Sequence, residues 1–481
     1  MADLAFDART NTEAEAAERF GTKGNASIYL GRHYDPQGGN AGAELFYGGD
    51  RHMFLFGPTG SGKGTRFLIP NLLCGLAEQS VIVIDPKGEA AAVTAAERRR
   101  KGHEVVIINP FDVLGLGSTG FDPLAALNPA SPNFYDDAAA LGEALIKIEG
   151  NDPHWSQSAQ ALIVALVMWA KMRDGNQASL EQVRTMLTEP ETYEEKEGDE
   201  PSRKRLKSGI RHTAAEIVVR GGYEAGSLAA RFIDQTRENT SIVSAANTQT
   251  RWLLSPPIRA DLGKKGVDFA ALKQRPTTVY VILPAERLRT HNAWLRLVIV
   301  SALRALYRPA GRRVVMLIDE MAALGPLPPL EDAFGLVRGY NVQIVAMLQD
   351  LGQLKELYKE RWETFIANAG VVFGFAPNDL TTAGWMSKRS GQTTAIAKGF
   401  SHNAGVSSGD KSSMNSGSGA SDQQIARPLL LSHELMGMEQ GMALLWLAGD
   451  ANTTRVFAPD YEKIRDCKSR ASENPYRRPM Q

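Results

Sequence analysis

Residues 57–65 read Gly57-Pro58-Thr59-Gly60-Ser61-Gly62-Lys63-Gly64-Thr65 and follow directly on the apolar run Met53-Phe54-Leu55-Phe56. A strand feeding a glycine-rich turn and then a helix is suited to a phosphate chain. The glycines let successive backbone N–H groups point inward, and the Lys63 ammonium reaches the terminal phosphates. This pattern predicts a nucleoside-triphosphate site. Position 64 departs from it, because Gly64 stands where a Mg²⁺-binding Ser or Thr is expected. Thr65 follows at once and could supply that hydroxyl, or a water could. The alternative is a fortuitous Gly/Ser-rich turn before a helix, and a second motif downstream weighs against it.

That motif is Val314-Val315-Met316-Leu317-Ile318-Asp319-Glu320. A continuous apolar run closing on acids describes a buried parallel strand whose C-terminal end opens into a site. Asp319 is placed to hold Mg²⁺, directly or through water, and Glu320 to take a proton from an attacking water. Any strand can end in a solvated Asp-Glu turn. Pairing with the phosphate loop is what favours the catalytic assignment.

Bringing two such distant stretches together calls for a parallel sheet. Apolar runs at 53–56, 81–84, 104–108, 278–283, 313–318, 342–348, 370–375 and 443–447 read as strands, several of them separated by helical patterns. They predict an α/β fold with a mostly parallel sheet covered on both faces, spanning 53–135 and 256–462. Between 136 and 255 strand-like runs become scarce. Helical periodicity over 138–148, 156–172, 180–187 and 228–253 predicts an all-α inserted domain. The charged stretch 189–207, with Arg203-Lys204-Arg205, reads as a solvated loop ahead of a binding patch. Residues 1–52 are expected to form an N-terminal arm with edge strands near 28–30 and 45–47. The Ser/Gly/Asn-rich segment 398–422 is expected to be a mobile loop, and 463–481 a flexible tail. Pro70 should end or kink the helix after the phosphate loop. His154 reads as structural.

The chain has 481 residues, with 54 Lys+Arg balanced by 54 Asp+Glu. Zero net charge rules out whole-molecule attraction to nucleic acid, so any such contact must be local. Cys74 and Cys467 have no metal spacing, which points to reduced thiols in the cytosol. The apolar stretch 161–170 is too short to cross a bilayer, so a soluble, cytoplasmic chain is expected.

Further stretches share a pattern: Lys63-Gly64-Thr65-Arg66-Phe67-Leu68-Ile69-Pro70-Asn71, Asp85-Pro86-Lys87-Gly88-Glu89, Asn109-Pro110-Phe111, Ala323-Leu324-Gly325 after the acidic pair, Arg338-Gly339-Tyr340, Gln349 with Gln353-Leu354, Asn378-Asp379 with Thr382-Ala383, Gly391-Gln392-Thr393-Thr394 and Arg427-Pro428-Leu429. From Met53 to about Pro459 the chain resembles the conjugative coupling proteins of type IV secretion systems, the TraG/TraD-like ATPases, in which Gly commonly follows the P-loop Lys. The resemblance implies a RecA-like P-loop NTPase core with an all-α insertion, acting as a homo-hexameric ring that hydrolyses ATP with Mg²⁺. It implies that Lys63 and Thr65 serve the phosphates and metal, Asp319 the metal and Glu320 the water. Gln349 would sense the γ-phosphate, and Arg338 would act as an arginine finger on a neighbouring subunit, a role open also to another basic residue such as Arg389. Asp85 and Lys87 are expected beside the nucleotide crevice, though Asp-Pro also simply ends a strand.

The implied partners are single-stranded DNA with its relaxase and the inner-membrane components of the secretion system. Such proteins usually begin with membrane-spanning helices, which this sequence lacks. Either the membrane part is absent from this polypeptide or another protein tethers it, and a cytoplasmic place, peripheral at the inner membrane, is expected. Two other readings stand beside it: a DNA pump of the FtsK or HerA kind, and an ATP-switched substrate receptor with little motor activity.

Overall fold

The computed structural model describes residues 8–21, 27–36, 41–148, 153–194, 205–407 and 413–477. Its main sheet has eleven strands. In chain order they are β1 (Ile28–Tyr34), β2 (Ala41–Tyr47), β3 (His52–Phe56), β4 (Ser80–Ile84), β5 (Glu104–Ile108), β6 (Thr277–Val281), β7 (Val314–Ile318), β8 (Val342–Leu348), β9 (Ala369–Phe375), β10 (Met442–Leu447) and β11 (Thr454–Phe457). Across the sheet they run β2-β1-β11-β10-β9-β3-β8-β7-β4-β6-β5. From β9 to β5 every neighbouring pair is parallel. The remaining strands are added antiparallel. Every apolar run read as a strand in the sequence lies in this sheet.

Those runs show no polar alternation because both faces of the sheet are covered. In β7, Val314, Met316 and Ile318 join one apolar cluster, while Val315 and Leu317 join the other. β3 divides likewise, with Phe54 and Phe56 on one side and Met53 and Leu55 on the other. Register then does the positioning. Ile84 pairs with Ile318, Ile318 with Ala346, and Leu348 with Phe56. The chain segments that leave these strands, beginning at Gly57, Asp85, Asp319 and Gln349, therefore emerge along one edge.

Residues 134–249 supply the helices Phe134–Leu145, His154–Asp174, Leu180–Thr188, Ile210–Arg220, Gly222–Ala229 and Arg237–Gln249. The second is buried almost all round from Leu162 to Lys171, as a helix inside other helices must be. Its apolar cluster is continuous with the one on the sheet. Helix Leu288–Leu306 makes the junction, where Arg304 donates to Asp137. Arg203 and Lys204 lie outside the described residues.

Three expectations are corrected. Segments Gln392–Ser407 and Ser413–Pro428 pair as an antiparallel ribbon, from Gln392–Pro428 to Ser407–Ser413, where a mobile loop was expected; residues 408–412 lie outside the described ones. A two-stranded antiparallel ladder pairs the backbone groups that face its partner strand and leaves the others to water, so it needs no apolar face and composition alone does not forbid it. The expected flexible tail is docked as far as Arg477: Cys467 is fully buried, and Asn474 donates to Glu89 Oε1 at 2.8 Å. Cys74 and Cys467 are not separate thiols but meet as a disulfide, their Cα atoms 5.9 Å apart across 393 residues of sequence. Spacing along the chain carried no trace of that proximity.

Among the described residues no helix is long and apolar enough to cross a membrane.

Candidate functional site

The phosphate loop leaves β3 with the Gly57 N–H still bonded to the Leu348 carbonyl at 3.1 Å. Gly60 and Gly62 take φ values of +84° and +91°, a backbone region that L side chains rarely adopt. The helix that follows begins as a wider π turn over Lys63–Leu68 and becomes α-helical at Ile69–Leu73. Pro70 explains the change. It lacks the N–H that an α-helix would direct at the Arg66 carbonyl.

A cleft of about 620 Å³ opens over this loop, a size suited to a nucleotide. Pro58, Thr59, Gly60, Gly62, Lys63, Gly64 and Thr65 line it, while Gly57 and Ser61 do not. Asp85, Lys87, Asp319, Glu320 and Gln349 line it too, so residues hundreds of positions apart in sequence converge on one space.

At one end of the cleft Lys63 donates to the Gly57 carbonyl. Burial lowers the Lys63 pKa, and the nearby Asp319 and Glu320 carboxylates oppose that by favouring its charge. Asp319 is pushed up to about 6, chiefly by withdrawal from water, with Lys63 pulling it down. Asp85 is pushed up to about 7 by burial, against the N–H of Ala91, which donates to its Oδ2 at 2.9 Å. Both acids therefore sit where a cation would relieve them. Glu320 has φ +70°, a left-handed turn that costs an ordinary residue roughly 1–2 kcal/mol. A chain of side chains ties it to the loop. Gln349 Nε2 donates to Glu320 Oε2 at 2.9 Å, and the Thr59 hydroxyl donates to Gln349 Oε1 at 3.3 Å.

At the other end the wall comes from the C-terminal segment, which the motifs did not flag. The Asp460 carboxylate lies beside Thr65, and Arg477 grips both of its oxygens at 2.6 and 3.1 Å. Arg66, which also lines the cleft, donates to the Ala458 carbonyl at 2.9 Å. Tyr476 donates its hydroxyl to the Lys87 carbonyl at 2.7 Å, and Gln440 Nε2 donates to the Gly60 carbonyl at 3.3 Å. Asp460, Arg477 and Gln440 all line the cleft. Nothing in their spacing signals this, because they come from single positions in polar stretches.

Arg338 does not join this group. It is exposed and pairs with Asp50 at 2.8 Å, just ahead of β8 and β3, whereas the cleft lies past the far ends of those strands. Five residues of β3 alone place roughly 17 Å between the two edges.

A parallel sheet with a phosphate loop at its carboxyl edge and an acidic strand end beside it defines the RecA-like class of P-loop nucleotide-binding folds. The family described as "Type IV secretory system Conjugative DNA transfer" matches residues 3–468, and this chain belongs to that family. It is 27% identical over 416 residues to the conjugal transfer protein TraG of Rhizobium radiobacter, covering 84% of this chain and 61% of that protein. It is also 27% identical over 418 residues to the type IV secretion system-coupling protein VirD4 of Bartonella quintana, covering 83% and 61%. The chain thus spans about three fifths of the length of these relatives. Among solved structures, the plasmid coupling protein TrwB in complex with the ATP analogue ADPNP superposes with a TM-score of 0.66 at 15% identity, over 98% of this chain and 95% of that one. TrwB in complex with ADP and Mg²⁺ gives 0.65 at 15%, over 94% and 93%. At such identities the likeness is one of fold.

Proposed function

We propose that this chain is the ATP-hydrolysing motor of a conjugative coupling protein, which recruits single-stranded DNA with its relaxase, or protein substrates, and drives them into a type IV secretion channel. One observation carries the reading: Lys63, Asp319, Glu320 and Gln349 line a single cleft in a chain of the conjugative DNA-transfer family. TrwB, of the same fold, is known with ADPNP and with ADP and Mg²⁺.

The residues present suit a magnesium nucleotide. The loop offers backbone N–H groups and Lys63 to the phosphates, and Asp319, whose pKa burial raises, offers the metal a carboxylate that a cation would stabilise. Bound Mg²⁺ would neutralise phosphate charge. Everything else falls to the protein. Lys63, held between Gly57 and the acids, exchanges its carbonyl partner for a phosphate oxygen. Glu320 orients the attacking water and accepts its proton, while Gln349 fixes the Glu320 carboxylate. Because Gln349 also touches Thr59, departure of the γ-phosphate alters both of its contacts and is passed to β8. Arg338, on the opposite edge, serves a neighbouring subunit's cleft in a hexameric ring and would add about 10³–10⁵ in rate.

The test is ATPase rate against protein concentration, with and without single-stranded DNA, for the wild type and Arg338→Ala. A rate that climbs with concentration and DNA and collapses in the variant supports an interfacial motor. A rate per subunit indifferent to both removes it. The receptor reading has its own observation: Val219 and Tyr223, on adjoining helices of the helical segment, are 79% and 85% exposed. Loss of relaxase binding in Tyr223→Ser, with ATPase intact, would assign recruitment to that surface.

A further inference from the structure

The phosphate loop lacks one ligand. Gly64 carries no hydroxyl at the position where such loops usually offer one to Mg²⁺. Thr65 is next in line, but it stands beside Asp460, a carboxylate whose oxygens Arg477 holds. What stands in the missing group's place is visible from the backbone. A Cβ built on Gly64 meets a single heavy atom within 4 Å beyond its own surroundings, Glu89 Oε2 at 3.9 Å. The hydroxyl of a serine there, one bond further out, would share that pocket of space with Glu89 Oε2.

Resting on the reading of the cleft as a magnesium-nucleotide site, we infer that Glu89 replaces the hydroxyl missing at Gly64 as a protein oxygen ligand of the nucleotide's Mg²⁺.

Three further observations fit the assignment. Glu89 lines the cleft with Asp319 and Lys63. Its carboxylate is oriented from behind, since Asn474 Nδ2 donates to Oε1 at 2.8 Å and leaves Oε2 toward the loop. It begins the helix Glu89–Arg100 directly after Gly88, whose φ of +69° turns the chain from β4 toward the loop. Mg²⁺ in nucleotide sites takes one or two carboxylates together with phosphate oxygens and water, and Asp319 with Glu89 makes that number. The replacement changes the charge of the site, because a carboxylate adds a negative charge where a hydroxyl adds none. Without a divalent cation, Glu89 should repel the phosphates it helps to hold with one.

The plain alternative is that Glu89 only opens its helix and anchors the C-terminal segment through Asn474. Equilibrium binding of a non-hydrolysable ATP analogue to the full chain separates the two, with Mg²⁺ and with EDTA, for the wild type, Glu89→Gln, Gly64→Ser and the double variant. Affinity in Mg²⁺ should fall by at least roughly tenfold in Glu89→Gln while affinity in EDTA holds or rises. Gly64→Ser, whose φ and open surroundings admit a side chain, should restore most of the loss in the double variant. Binding of Mn²⁺ with ADP, followed by electron paramagnetic resonance, should weaken in the same order. Should Glu89→Gln unfold, Glu89→Asp takes its place, with a smaller loss expected. An equal fall in Mg²⁺ and EDTA, or no rescue by Gly64→Ser, overturns the inference and leaves Glu89 an anchor. Failure of the wild type to bind the analogue in Mg²⁺ would instead overturn the nucleotide-site reading.

Discussion

The two ends of the cleft are built by different means. At the Glu320 end, the side chains sit at or just past the carboxyl ends of buried parallel strands, each held by a ladder on both sides. At the Thr65 end, Asp460 and Arg477 come from a C-terminal segment with little regular structure, fastened by side-chain bonds and by the Cys74–Cys467 junction. Strand ends repeat their positions with the accuracy of the sheet, which suits groups that must meet reacting atoms. A strapped segment opens at lower cost, which suits the part of a site that admits and releases a ligand.

If that division holds, the heaviest losses of turnover belong to the first end. Lys63→Ala should abolish ATP hydrolysis and substrate transfer, with nucleotide binding strongly weakened; turnover within tenfold of wild type would break the comparison. Glu320→Gln should next cut kcat by about 10²–10⁴ while nucleotide binding persists, as measured by single-turnover hydrolysis. Arg477→Ala should act at the second end and in a different currency. It frees Asp460 and loosens the segment, so nucleotide affinity should drop by about tenfold with kcat within a factor of three. A fall confined to kcat would mean the segment takes part in the chemistry.

The smallest effect concerns stability. Asp85 and Asp319 bind protons in the folded chain up to about pH 7 and about pH 6, well above their ordinary range. Between about pH 4 and pH 7 the folded state therefore holds more protons than the unfolded one, and stability of the ligand-free chain falls as pH rises. Asp85→Asn removes its share. It should exceed the wild type by about 1–3 kcal/mol at pH 8 and match it near pH 4, as read from urea unfolding. Equal stability at pH 8 would mean that the acid bears no such strain.

The same contrast separates what could be read from the sequence. β7 was legible because two-sided burial leaves an unbroken apolar run, and its closing acids mark where the run meets a site. The phosphate loop was legible because positive φ at Gly60 and Gly62 demands glycine. Asp460 and Arg477 were not, since a segment fastened to the loop by contacts such as Arg66 to the Ala458 carbonyl, 392 residues apart, leaves no periodicity behind. Glu89 was in view but had no role until the neighbourhood of Gly64 was known in three dimensions. β11 is short and mixed in composition, and pairing with β10 and β1 decides it more than its own residues do. Arg338 was found by resemblance, and only the sheet reveals how far it stands from its own cleft.

One strand joins that distant arginine to the nucleotide. β8 is buried over all seven of its residues and bonded on both flanks, with Arg338 shortly before it and Gln349 immediately after. A beam clamped in this way tilts or slides as a unit rather than bending. Occupancy felt at Gln349 would then be delivered, with little attenuation, to the Arg338 edge, where the proposed ring would seat a neighbouring copy. In such a ring, each subunit's spent nucleotide would set the timing of the next.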